Sequence, residues 1–203
     1  MHVVVEDMRL QFDNVILLER LSFEAPPRQM TVLAGPSGSG KTSILGVLAE
    51  AVVPSAGQVR FVDDDGLAVR PTWVWISQTA TLLQDRTALD NVSVALLARG
   101  VALNDAITRA REHLEDVGLG HRIDFPARLL SGGEQQRLSF ARALASDADL
   151  ILADEPTASL DQANAQHICQ LMKQVARSRV VVVATHDPTI MAAADNLVKL
   201  RPE

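Results

Sequence analysis

Aromatic side chains make up only 3 % of this chain, tyrosine is absent, and there is a single cysteine. One cysteine, Cys169, excludes an intramolecular disulfide and with it the small cross-linked folds of secreted domains. It falls in the helix-like stretch Gln162 to Arg177 and reads as a small packing residue in a reduced, cytosolic setting. No apolar run reaches the ~20 residues that a membrane-spanning helix needs. His2 leads directly into a strand-like Val3-Val4-Val5, so no cleavable leader is expected. A formal net charge of −6 gives no support to nucleic-acid binding. There is also no internal repeat, linker or low-complexity tract. What is present is a chain of 203 residues with 47 % hydrophobic content, enough to bury the core of one α/β domain. If such a chain works at a membrane, a partner must hold it there.

Gly35-Pro36-Ser37-Gly38-Ser39-Gly40-Lys41-Thr42 fits the phosphate-binding pattern G-x-x-x-x-G-K-[ST]. Its context also fits: Met30 to Ala34 reads as a buried strand before it, and Ser43 to Val53 as a helix after it. Gly35, Gly38 and Gly40 let the backbone turn tightly and aim successive N–H groups at one anion. The helix that follows adds its positive N-terminal end. Lys41 is placed to reach the β- and γ-phosphates, and the Thr42 hydroxyl to bind Mg²⁺.

Asp149 to Asp154 is an apolar run that ends in adjacent acids, Asp154 and Glu155, before the strand-breaking Pro156. Set beside the Met30–Ala34 strand, Asp154 would lie at a strand end and help hold Mg²⁺. Glu155 would leave in another direction, towards a water on the γ-phosphate, as general base. Val180 to Thr185 is a further continuous apolar strand, ended by His186-Asp187-Pro188. That puts His186 on the same carboxyl edge of the sheet, where open α/β sheets bind ligands. Gln78, after the strand-like Thr72 to Ser77, carries a neutral amide able to reach the metal or the attacking water; solvation is the plainer role for it.

Leu130-Ser131-Gly132-Gly133-Glu134 opens a helix reading from Glu134 to Ala145, with Ser131 as N-cap and Glu134 at capping-box spacing. Its N-terminus offers an anion-binding end with little side-chain bulk. Elsewhere, residues 1–34 read as short antiparallel strands, with Gly57 to Val62 adding one more. Asp63-Asp64-Asp65-Gly66 is a solvated turn without the spacing of a calcium loop. Residues from about 87 to 146 are helix-rich, including Asn104 to Val117 with Ile107, Ala110, Leu114 and Val117 on one face.

Taken in order, these segments resemble the motifs of ABC-type ATPases, the nucleotide-binding subunits of ABC transporters, over essentially the whole chain. The matching stretches are Gly35–Thr42, Gln78, Leu130–Arg137, the strand through Asp154 with Glu155, Ser159-Leu160-Asp161 and His186. The resemblance implies a single domain: a P-loop fold with a mostly parallel core sheet (about 1–86 and 147–203), an N-terminal antiparallel element and a helical subdomain (about 87–146). It implies ATP and Mg²⁺, with two subunits packed head-to-tail around two ATP. Gly35, Pro36, Ser37, Gly38, Ser39, Gly40, Lys41, Thr42 and Ser43 would hold the nucleotide. Ser131, Gly132, Gly133 and Glu134 would face the ATP of the other subunit. Thr42, Gln78 and Asp154 would hold the metal, and Glu155, His186, Lys41 and Gln78 would serve catalysis. Phe12 lies where the family places an aromatic, more often tyrosine, that stacks on adenine. Phenylalanine can stack, and a core-packing role suits it equally.

The resemblance further implies membrane permease subunits docking near Gln78 and the helical subdomain, with Leu82 to Val92 lining the groove, and a position on the cytoplasmic face of the membrane. Thr87 to Val92, Gly132 to Arg137 and Leu152 to Thr157 resemble the ATPases that drive MacB-, LolD- and FtsE-type membrane proteins, although such stretches recur in importers. A regulatory, FtsE-like role is the alternative. Pro126 to Leu130 is one residue longer than the usual spacing. The chain stops soon after Leu200, so the C-terminal regulatory domain of some importers is not expected. Repair-type and translation-type soluble ABC ATPases need a coiled-coil insert or a second cassette, which this sequence lacks, and it has no Asn-Lys-x-Asp segment of a GTPase.

Overall fold

A computed structural model describes residues 1–158 and 160–200. Ser159 lies outside the described residues. Five strands form one parallel sheet in the order β5 (Trp73–Ile76), β6 (Leu150–Asp154), β7 (Val180–Thr185), β3 (Met30–Ala34), β8 (Asn196–Lys199). Every residue of β3, β6 and β7 is buried, the expected result for central strands covered on both faces. The Asp154 strand is therefore not beside the P-loop strand as the sequence reading placed it. β7 lies between them, because βαβ crossovers allow later strands to insert between earlier ones.

A three-stranded antiparallel sheet, β2 (Val15–Ala25), β1 (His2–Phe12), β4 (Ala56–Val62), covers one side. β1 and β2 each run 11 residues, longer than the short strands expected. Asp7 sits at φ 47° in a register shift between Val5 and Met8. That bulge breaks the inside–outside alternation and hides the continuation from a periodicity reading. Valines and leucines of this sheet pack with α1 (Lys41–Leu48) and one face of the parallel sheet into one core.

The opposite face supports a second core, built with α2 (Ala88–Ala98), α3 (Leu103–Asp116), α4 (Gly132–Ser146) and α5 (Gln162–Ala176). Of the expected stripe, Ala110, Leu114 and Val117 are fully buried while Ile107 is half-buried and Ala106 takes the inward position beside it; Cys169 is packed in the same core at 5 % exposure. The C-terminal end of α4 is clasped: Asp147, in the left-handed conformation, takes ion pairs from both Arg99 and Arg179. The same arginines donate to the terminal carbonyls of Ala145 and Leu144.

α1 ends at Leu48, not near Val53 as the apolar spacing suggested. Glu50 takes φ 55°, the Glu50 N–H bonds the Val47 carbonyl and the Ala51 N–H bonds the Gly46 carbonyl. This is a Schellman stop, closed by a glutamate where glycine would be the usual signal.

Candidate functional site

β3 delivers the chain into the P-loop at the carboxyl edge of the parallel sheet. Gly35 has no room for a side chain: a Cβ would stand 2.6 Å from Ser39 Oγ and 3.1 Å from Leu200 Cβ. Gly38 and Gly40 hold φ 82° and 85°, conformations that glycine adopts without strain. Gly40 then caps α1, so the helix N-terminus opens on the loop. Lys41 Nζ donates to the carbonyls of Gly35 at 2.8 Å and Pro36 at 2.9 Å, and stands 3.6 Å from Glu155 Oε1. Ser39 is buried, and its hydroxyl has no hydrogen-bond partner.

A cavity of about 300 Å³ brings together Ser37, Gly38, Gly40, Lys41, Thr42, Ser43, Gln78, Asp154, Glu155 and His186. Thr42 Oγ1 donates to Asp154 Oδ2 at 2.8 Å, so the two oxygens suited to Mg²⁺ already meet. Burial pushes Asp154 above the ordinary aspartate value, against the Thr42 hydrogen bond and with the Glu155 charge adding to the rise. Burial also opposes the Glu155 charge, but hydrogen bonds from His186 and Thr185 and the charge of Lys41 outweigh it. Glu155 lies below the ordinary glutamate value and is a carboxylate at neutral pH. Its Oε1 is 2.8 Å from His186 Nδ1. The segment that carries the exposed Gln78 is tied to α4 before and after it. Gln136 Nε2 donates to the Ser77 carbonyl at 3.3 Å, and Arg142 donates to the Thr81 carbonyl.

Two groups stand apart from this cavity. Phe12 ends β1 at 46 % exposure; it is not in the core, nor among the residues lining the cavity. Leu17 of β2 lines it instead, packed over Gly40 with its Cγ 3.3 Å from where a Cβ would lie. Nothing in the sequence distinguishes Leu17 from any other apolar strand residue. Ser131, Gly132, Gly133 and Glu134 line a different cavity, with Arg122, Arg137, Leu160, Asp161 and Asn164.

There the capping box is complete. The Glu134 N–H donates to Ser131 Oγ at 3.3 Å, and the Ser131 N–H donates to Glu134 Oε2 at 2.8 Å. Arg122 adds an ion pair at 2.9 Å. The Ser131 backbone bond, working against burial and together with Arg122, holds Glu134 down to about 2. Because the folded value is depressed, the stabilisation is present above the ordinary 4.5 and is lost as pH falls towards about 2. Glu134→Gln is therefore expected to lower Tm at pH 7 by roughly 3 °C, the equivalent of about one cap. Melting curves of the two proteins should converge as pH falls through that window.

A model of the ABC transporter family matches residues 18–158. The chain is 40 % identical over 195 residues to an uncharacterised ABC transporter ATP-binding protein of Mycobacterium bovis, covering 91 % of this chain and 59 % of that relative. It is 35 % identical over 198 residues to the macrolide export ATP-binding/permease protein MacB of Salmonella choleraesuis, covering 93 % of this chain and 31 % of MacB. It thus spans less than two thirds of the length of these relatives. A solved dimeric ATP-binding cassette in a post-hydrolysis state, bound to ADP and phosphate, superposes with a TM-score of 0.85 at 28 % identity. That match covers 98 % of this chain and 94 % of the cassette. The chain belongs to the ABC transporter family. Within it, this is an ATP-binding cassette of the α/β P-loop class.

Proposed function

We propose that this cassette works as a head-to-tail dimer that hydrolyses ATP at two shared sites and drives membrane permease subunits. One observation carries the reading. The P-loop, Gln78, Asp154, Glu155 and His186 converge in one cavity, while Ser131 to Glu134 sit at a capped helix N-terminus in another. A second subunit supplies the simplest way to bring the two onto one nucleotide, and the superposing cassette is itself described as dimeric.

In this reading Gly35 to Ser43 cradle the phosphates through backbone N–H groups and the α1 dipole. Lys41 leaves the Gly35 and Pro36 carbonyls for the β- and γ-phosphates, and Leu17 with Phe12 flanks the base. Thr42, Asp154 and Gln78 would hold Mg²⁺, which neutralises charge developing on the phosphates. Glu155 accepts a proton from the attacking water, and His186 orients that water at the γ-phosphate. Residues 87–146 act as a helical subdomain, and its exposed Val94, Leu97 and Leu129, with Leu83 just ahead of it, offer apolar anchors to a permease. No helix among the described residues is long and apolar enough to cross a membrane, so docking on a permease at its cytoplasmic face is the proposed location. Export or mechanical work of the MacB type is the preferred branch, with no nucleic-acid role.

Size-exclusion chromatography tests the dimer. With ATP and without Mg²⁺ the wild-type chain should move from monomer to dimer. Lys41→Ala should remain monomeric and lose nucleotide affinity by about tenfold or more. A Lys41→Ala protein that binds ATP and dimerises normally would overturn the assignment of this loop.

A further inference from the structure

The two carboxylate oxygens of Glu155 have different surroundings. Oε1 faces the cavity, near His186 Nδ1 and Lys41 Nζ. Oε2 accepts the Thr185 hydroxyl at 2.8 Å and lies 3.4 Å from the His186 backbone N–H. Thr185 is wholly buried on β7, between the strand that leads into Glu155 and the strand that feeds the P-loop.

Its hydroxyl has one hydrogen, and its direction is set. The Asp187 backbone N–H donates to Thr185 Oγ1 at 3.0 Å, so the hydroxyl accepts on that side and donates on the other, to Glu155. Asp187 is itself fixed. Its Oδ2 accepts from Thr157 Oγ1 at 2.7 Å, and its Oδ1 from the Thr189 N–H at 2.7 Å as N-cap of the next helix. Thr157 follows Glu155 by two residues and is buried. The exits of β6 and β7 are thus tied by two buried hydroxyls. Between these ties Glu155 holds φ 45°, a backbone state that a glutamate keeps only where its surroundings enforce it.

We propose that Thr185 is the positioning residue of the hydrolytic base: it occupies Glu155 Oε2 and leaves Oε1 as the oxygen that takes the proton from water. This rests on the reading of Glu155 as base. As the water oxygen bonds the terminal phosphorus, its proton passes to Oε1. The bond from phosphorus to the bridging oxygen breaks, and ADP keeps the electron pair. His186, with 70 % of its side chain exposed, can swing away from Oε1. Thr185, enclosed by the sheet, cannot leave Oε2.

Thr185→Val keeps the shape and removes the donor. Its kcat is expected to fall about 10- to 100-fold, the cost of a slightly misplaced group. The half-saturating ATP concentration and ATP-binding stoichiometry should stay within about twofold, and Thr185→Ser should recover most of the rate. Added to Glu155→Gln, Thr185→Val should cause no further loss, since both act through one carboxylate. If the valine variant fails to bind ATP stoichiometrically, Thr185→Cys, a weak donor of similar shape, should turn over at an intermediate rate. Normal turnover by Glu155→Gln would remove the base, and the Thr185 role with it. An inactive Glu155→Gln beside a fully active Thr185→Val or Thr185→Cys, or a serine variant as slow as valine, would overturn the Thr185 role alone.

Discussion

Glu155→Gln is expected to lower ATP turnover by at least about 100-fold, the usual contribution of a positioned general base, while ATP still binds. Glutamine keeps the length of the side chain and can still accept from Thr185, so the exits of β6 and β7 remain tied. It cannot take a proton from water. The uncleaved nucleotide should then hold two chains together, and the variant should elute as a stable dimer with ATP and Mg²⁺, conditions under which wild-type protein returns to monomer. Removing the carboxylate also leaves Lys41 without its neighbour at 3.6 Å, which favours its move to the phosphates. ATP affinity equal to or tighter than wild type is therefore the expected direction. Wild-type turnover would exclude Glu155 as base.

Ser131→Arg is expected to abolish turnover and ATP-driven dimerisation while the monomer's ATP affinity stays within about twofold, because the altered residue lies outside the P-loop cavity. Ser131 is exposed at the start of α4, where small side chains leave backbone N–H groups open to an anion. Arginine fills that opening and removes the cap hydroxyl, whose loss alone costs about 1 kcal/mol. Ser131→Ala separates the two effects: it loses the cap and adds no bulk, so it should dimerise with only a modest fall in rate. A fully active Ser131→Arg would overturn the shared-site reading.

The sequence made the parallel core readable because β3, β6 and β7 are continuous apolar runs, and burial on both faces needs no other signal. It made the P-loop cavity readable because Lys41, Thr42, Asp154, Glu155 and His186 all sit at strand exits or helix starts. Strand order was not readable. A β-strand's sequence records that it is covered, not which neighbour covers its edge, so the insertion of β7 between β6 and β3 had to come from the coordinates. The end of α1 was missed because the apolar spacing runs on through Val52 and Val53, and a glutamate takes the left-handed position that a glycine would have announced. Leu17 and Thr185 were missed for a common reason. Each is an ordinary strand residue by composition, and its importance comes from what the fold places opposite it: Gly40 for Leu17, the Glu155 carboxylate for Thr185.

The clasp at Asp147 has a mechanical consequence. α4 spans 15 residues, about 22 Å of rigid helix, pinned at one end by Arg99 and Arg179 and ending at Ser131 on the other. A tilt of about 10° about the clasp would carry Ser131 through about 4 Å, further than the length of a hydrogen bond. Gln136 and Arg142 along the helix, and the Arg122–Glu134 ion pair at its far end, oppose that tilt, so the rod is held at both ends and its capped serine moves only with the elements that grip it.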